Sequence, residues 1–69
     1  MTKPILVKFG KRVRTIRAEQ GISQERLGEL AGVHRTYVGM IERGEKNITL
    51  TNIEKIAKAL RVPLKSLVD

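Results

Sequence analysis

Arg35, Thr36 and Tyr37 stand side by side at the start of a short segment of helical pattern. Together they carry groups that a base edge or a phosphate would recognise. An arginine can pair bidentately with guanine. A threonine offers its methyl group to thymine, or its hydroxyl to a base or phosphate. Tyr37 can donate to a phosphate or lie along a sugar, and its alternative is a half-buried packing role. Gly39 reads no base, and its bare backbone lets the helix come close. Just beyond lie Arg43, Lys46 and Asn47, with Thr49 or Thr51, as candidate grips on a flanking strand. The charge agrees with such chemistry. Fourteen Lys and Arg face seven Asp and Glu, a formal net charge of +7. That excess favours a polyanion, either nucleic acid or an acidic membrane, and charge alone does not choose between them.

Other chemistry has little to work with. There is no cysteine and one histidine. No pair of carboxylates marks a cleft, and no glycine-rich phosphate loop is present. His34 lacks companion ligands, so its expected role is to precede or cap a helix, not to bind metal. No enzyme and no cofactor is expected. Lys8, Lys11, Arg12 and Arg14 read as a solvated basic face, with direct DNA contact as the alternative.

The 69 residues suffice for one domain, read as 1–69. Hydrophobic residues make up 41% and charged residues 30%, as in a folded chain, while 3% aromatics require an aliphatic core. A domain this small buries only roughly 60% of its unfolded surface, and no disulfide can staple it. A partner subunit is the remaining source of extra stability. No apolar run approaches the roughly 20 residues of a membrane span, and no membrane partner is expected. Met1, Thr2, Lys3 and Pro4 do not lead into a signal peptide, because Lys8, Lys11 and Arg12 interrupt the apolar stretch. A cytoplasmic protein is expected.

The elements that must position these groups read as helices, without convincing strands. Phe9, Val13 and Ile16 recur at helical spacing, with Ile5 and Leu6 a turn earlier, giving a first helix over roughly 4–20. Gly21 ends it. Ser23 can cap a second helix over about 24–31, with Leu27, Leu30 and Ala31 inward and Glu25 in its positive first turn. Gly32 breaks it. A third helix over about 35–43 turns Val38 and Ile41 inward, and Gly44 stops it. A polar turn, 45–49, leads to a fourth helix. Thr51 with Glu54 forms a candidate capping box there, and Thr49 is a rival cap. Ile53, Ile56, Ala57 and Leu60 form one stripe. Pro63 can occupy the first turn of a short last helix whose apolar face is Leu64, Leu67 and Val68.

The segment 24–43 reads as helix, tight turn, helix. Two short helices cross steeply only where contact residues are small and the turn sharp. Gly28 and Ala31 supply the small contacts and Gly32 the turn. Val33, Val38, Ile41 and Leu27 seal the pair. A helix of this kind fits the major groove of B-DNA.

The string Gly21-Ile22-Ser23-Gln24-Glu25, then Leu27, Ala31-Gly32-Val33, Tyr37-Val38 and Ile41-Glu42-Arg43-Gly44, resembles the Cro/lambda-repressor-like, or Xre-type, helix-turn-helix family over about residues 9–68. His34 to Gly39, Ile41-Glu42-Arg43 and Asn47-Ile48-Thr49-Leu50 further resemble the controller proteins of restriction–modification systems, with Ile48 where many Xre-type proteins have proline. The resemblance implies an all-α fold of five helices and a sequence-specific, dimeric transcriptional regulator acting on its own and neighbouring promoters. It places Arg35 and Thr36 on bases and makes Gln24 a clamp on the DNA backbone, where the amides of a helix start also favour phosphate. It suggests that Arg17 and Glu42 form a structural ion pair joining the first and third helices, with Arg17 also able to touch phosphate. A phage-type repressor or an antitoxin would share much of this pattern, and a protein-interaction module could keep the fold without DNA binding.

One such domain reads few base pairs. A homodimer on palindromic or pseudo-palindromic double-stranded DNA would set two recognition helices about 34 Å apart. Ile48, Leu50, Leu64, Leu67 and Val68 exceed what a small core needs near its C-terminal end. They are either ordinary core or, as the resemblance supports, a dimer patch, with Leu50 and Leu64 shared between the roles. RNA polymerase is a further candidate partner.

Overall fold

In a computed structural model, residues 3–68 are described and form five α-helices, with no strand among the described residues. Met1, Thr2 and Asp69, and with them the ends of the expected 1–69 domain, lie outside the described residues.

The helices are α1 (Pro4–Glu19), α2 (Gln24–Ala31), α3 (Arg35–Glu42), α4 (Leu50–Leu60) and α5 (Lys65–Val68). Local chemistry sets most boundaries. Pro4 opens α1, where a missing N–H costs nothing. The Ser23 hydroxyl accepts from the Arg26 amide at 2.9 Å and caps α2. Gly32, at φ 73°, closes α2 in the left-handed region. His34 caps α3 through Nδ1, which accepts from the Thr36 amide at 3.0 Å. At α4 the cap is Thr49, whose Oγ1 accepts from the Asn52 amide at 3.2 Å. Thr51 lies inside the helix, so the capping box with Glu54 is not used.

The core is aliphatic apart from Phe9. Val13, Leu27, Val38, Ile56 and Leu60 are fully enclosed, with Ile41, Ala31 and Ala57 around them. These residues come from α1, α2, α3 and α4, so each of those helices gives one face to a single cluster. α2 packs on α3 and α4, while α1 spans α3 and α5. Where α2 turns into α3 there is no room for a side chain. A Cβ on Gly28 would lie 2.6 Å from the Val33 carbonyl oxygen.

Several expectations change. α1 ends at Glu19, with Gln20 as its C-cap and Gly21 following in the left-handed region at φ 69°; the Gln20 side-chain amide donates to the Leu60 carbonyl at 2.6 Å. α3 ends at Glu42, with Arg43 as its C-cap. Pro63 precedes α5; its carbonyl accepts from the Ser66 amide at 2.9 Å, in the turn that leads into it. Leu30 is 46% exposed and Ile5 56%, so neither is core. Leu67, placed among the dimer-patch residues, is instead buried in this chain's own core at 1% exposure. It follows Leu64 by three residues, yet α5 turns it in against α1.

Candidate nucleic-acid interface

The turn after Gly32 projects the start of α3 outward. Arg35 and Thr36 are both exposed. The Arg35 guanidinium lies 3.8 Å from a Glu25 carboxylate oxygen, with both side chains about two-thirds exposed. So open an ion pair holds its partners weakly, at roughly 0.2–1 kcal/mol. Arg35 is therefore available to a competing ligand.

Tyr37 is half-buried on the next part of the same helix. The Asn52 side-chain amide, from the first turn of α4, donates to the Tyr37 hydroxyl at 2.8 Å. The Lys46 ammonium lies 5.9 Å from the ring centroid, within cation–π range. Packing and hydrogen bonding therefore coexist at Tyr37. Asn52 was not among the residues singled out from sequence. It lies fifteen positions from its partner, and no local pattern announces such a contact.

Behind this face lies a polar clasp. The Arg17 Nε donates to Glu42 Oε2 at 2.7 Å, and its Nη2 to Oε1 at 3.1 Å. Gln24 Nε2 also donates to Oε1, at 3.0 Å. Arg17 Nη1 reaches the Ile22 carbonyl at 2.9 Å. The Glu42 side chain is 3% exposed and that of Arg17 16%. The hydrogen bond to Glu42 holds the Arg17 pKa above its ordinary value, against the lowering effect of burial. Three residues on α1, α2 and α3 are thus fastened together. Gln24 keeps one amide hydrogen for other use. Gly39 is buried, and a Cβ there would lie 3.1 Å from an Arg43 guanidinium nitrogen and 3.6 Å from Gln24 Oε1. Its place is under these side chains, not open to a groove.

The remaining polar candidates flank the end of α3. Arg43, Lys46, Asn47, Thr49 and Thr51 are all exposed. Arg43 pairs with Glu45 at 3.0 Å, again in solvent. Thr49 spends its acceptor on the cap but keeps a hydroxyl hydrogen. Among the described residues, no cluster of three or more His, Asp or Glu could hold a metal ion, and no helix is long and apolar enough to cross a membrane.

A profile of the helix-turn-helix family matches residues 13–67, from the middle of α1 to α5. The chain belongs to the helix-turn-helix family. It is 50% identical over 70 residues to control protein C.BamHI of Bacillus amyloliquefaciens, covering 100% of this chain and 86% of that protein. It is 43% identical over 59 residues to control protein C.SmaI of Serratia marcescens, covering 86% and 70% respectively. Among solved structures, the restriction–modification controller protein C.AhdI of Aeromonas hydrophila superposes with a TM-score of 0.88 at 50% identity, covering 90% of this chain and 94% of that one. The relatives are helix-turn-helix transcriptional regulators of the controller type, not enzymes, in agreement with the all-helical fold and with the Xre-type resemblance.

Proposed function

We propose that this helix-turn-helix protein is a homodimeric controller that reads a palindromic or pseudo-palindromic operator at its own and neighbouring promoters. The observation that carries this reading is the exposure of Arg35 and Thr36 at the outward start of α3, on a chain similar along its whole length to control proteins. Arg35 and Thr36 contact bases. Gln24, Tyr37, Arg43, Lys46, Asn47, Thr49 and Thr51 contact the DNA backbone. A second copy of the chain covers the exposed aliphatics of its C-terminal half. Leu50 is 76% exposed, Val68 45% and Leu64 39%, and Leu50 and Leu64 line one shallow groove. Ile48 supports that face from the core side. Large aliphatics at such exposure gain from a partner. A cytoplasmic location follows from promoter binding. RNA polymerase is a second partner wherever the operator adjoins its site.

The test is a binding titration with a duplex that the wild-type protein selects from a randomised pool, set against a scrambled duplex of equal length. Arg35→Ala should lose roughly 1–3 kcal/mol on the selected duplex and relax preference at one base position. Binding to the selected duplex should fall steeply with salt, at a log–log slope near −0.9 for each phosphate neutralised. Unchanged discrimination in Arg35→Ala would remove Arg35 from the base-reading role.

A further inference from the structure

The direction of one hydrogen bond bears on how Tyr37 meets DNA. A phenol has one hydrogen to donate and lone pairs to accept with. At Tyr37 the accepting side is taken, because the Asn52 Nδ2 donates to the hydroxyl at 2.8 Å. The phenolic hydrogen is therefore left to point away from Asn52. A phosphate oxygen is an acceptor only, so it needs a donor aimed at it. The two residues sit on different helices, α3 and α4, and the contact is partly buried. Asn52 is itself held at its backbone, since its amide N–H is the one that the Thr49 cap engages at 3.2 Å. The start of α4 thus orients a side chain of the recognition helix. The Lys46 ammonium, 5.9 Å from the centroid of the same ring, adds positive charge over its face.

We propose that Asn52 is a positioning residue for DNA binding: it occupies the accepting side of the Tyr37 hydroxyl and so directs its hydrogen to a backbone phosphate. Asn52 acts through Tyr37 and also ties the flank of the recognition helix to α4. The inference rests on the reading of the chain as a DNA-binding controller. It adds a residue to the interface and a sense to one hydrogen bond.

Two measurements test it, both on the full chain. The first is a double-mutant cycle with the selected duplex. Tyr37→Phe and Asn52→Ala should each weaken binding about 3- to 10-fold, in line with a hydrogen bond of roughly 0.5–1.5 kcal/mol. The double variant should bind no worse than Tyr37→Phe alone. Neither should change the salt slope, because no charge is removed, whereas Lys46→Ala should make it shallower by about 1. Fully additive losses would overturn the proposal. The second measurement exploits Tyr37 as the only tyrosine of the chain, with no tryptophan present. Its Raman ring doublet reports whether a phenol donates or accepts. Asn52→Ala should move the free protein toward donor character, and adding duplex should do so in the wild type. A doublet that ignores Asn52→Ala would equally overturn it. Should the wild type select no duplex at all, the DNA-binding reading itself falls, an outcome distinct from binding without coupling between Tyr37 and Asn52.

Discussion

Replacing Glu42 by alanine should cost more stability than any exposed charge in the molecule. The carboxylate is 3% exposed and accepts three hydrogen bonds, two from Arg17 and one from Gln24. Alanine removes the acceptor of all three and leaves the Arg17 cation without its counter-charge. Breaking a buried pair in this way costs about 3–5 kcal/mol. The Arg17 side chain keeps 16% exposure and its bond to the Ile22 carbonyl, so water and backbone recover part of the loss. The lower end of the range, about 3 kcal/mol, is therefore the expectation. A domain of this length holds about 3–10 kcal/mol in total, at roughly 0.05–0.15 kcal/mol per residue. The variant should lose a third of its stability or more. At about 4–8 °C per kcal/mol, its melting temperature should drop by roughly 12–24 °C. Thermal unfolding followed by far-ultraviolet circular dichroism, at several protein concentrations to separate dimerisation from folding, measures this directly. Arg26→Ala is the control. Its pair with Glu29 is more than half exposed on both sides, so its loss should stay within about 0.5 kcal/mol. A melt of Glu42→Ala within a few degrees of wild type would refute the reasoning, because the clasp would then contribute no more than a surface pair. The upward shift of Arg17 fixes the sign of the pH dependence from that residue. Its contribution is complete below the unfolded-state pKa and is lost only in strong alkali, so the arginine side of the pair adds no slope near neutrality.

Other expectations follow from single positions. Gly10→Ala should destabilise by about 1–3 kcal/mol, since its Cβ would lie 2.7 Å from the Glu42 carbonyl oxygen and backbone cannot swing aside; an unshifted urea midpoint would count against this close contact of α1 and α3. Leu50→Glu should weaken self-association with little change in monomer helicity, measured by sedimentation equilibrium, and an unchanged dimer constant would move the interface elsewhere. Arg61 caps α4 at φ 58°, the only non-glycine residue among those described with positive φ. Arg61→Gly should therefore stabilise by about 0.5–1 kcal/mol, because a side chain in the left-handed region costs roughly 1–2 kcal/mol that glycine avoids; a lowered melting temperature would contradict it.

The parts of the fold that were legible from sequence are those whose causes are local. Ser23 and Gly32 bracket α2 because a cap hydroxyl and a left-handed turn act within a few residues. Gly28 and Ala31 announce a close helix crossing by their size alone. At the start of α4, two threonines two positions apart offer rival caps, and the structure uses Thr49. Leu30 misled because the buried arc of α2 runs through Leu27, Ala31 and Gly28, and Leu30, about 60° to one side of Leu27, falls outside it. Leu67 misled for another reason, since a four-residue helix has too little pattern to say which face turns inward. Apart from the Arg17–Glu42 pair, which the family resemblance supplied, the long-range polar contacts had no signature. Gln20 to Leu60, Arg12 to Ser66 and Asn52 to Tyr37 join residues 15 to 54 positions apart, and nothing in the types or spacing of those residues requires them. Of the candidate interface, the start of α3 was visible and its support from α4 was not.

The clasp also resolves an apparent conflict at the interface. Glu42 lies on the recognition helix, where a free carboxylate would repel the phosphates on which Arg43 and Lys46 are proposed to act. Its charge is instead turned inward and matched by Arg17 from α1, and the side chain is almost wholly withdrawn from solvent. That arrangement does two things with one residue. It hides a negative charge from a polyanion, and it fastens the rear of α3 to α1 and α2 at the point where the backbone of Gly10 also meets the Glu42 carbonyl. A recognition helix held rigidly from behind loses less conformational freedom on entering a groove, so more of each base contact survives as discrimination. By this reasoning Glu42→Gln should harm DNA binding less through charge than through orientation. Its cost should appear in the ratio of selected to scrambled duplex affinity, with the salt slope unchanged.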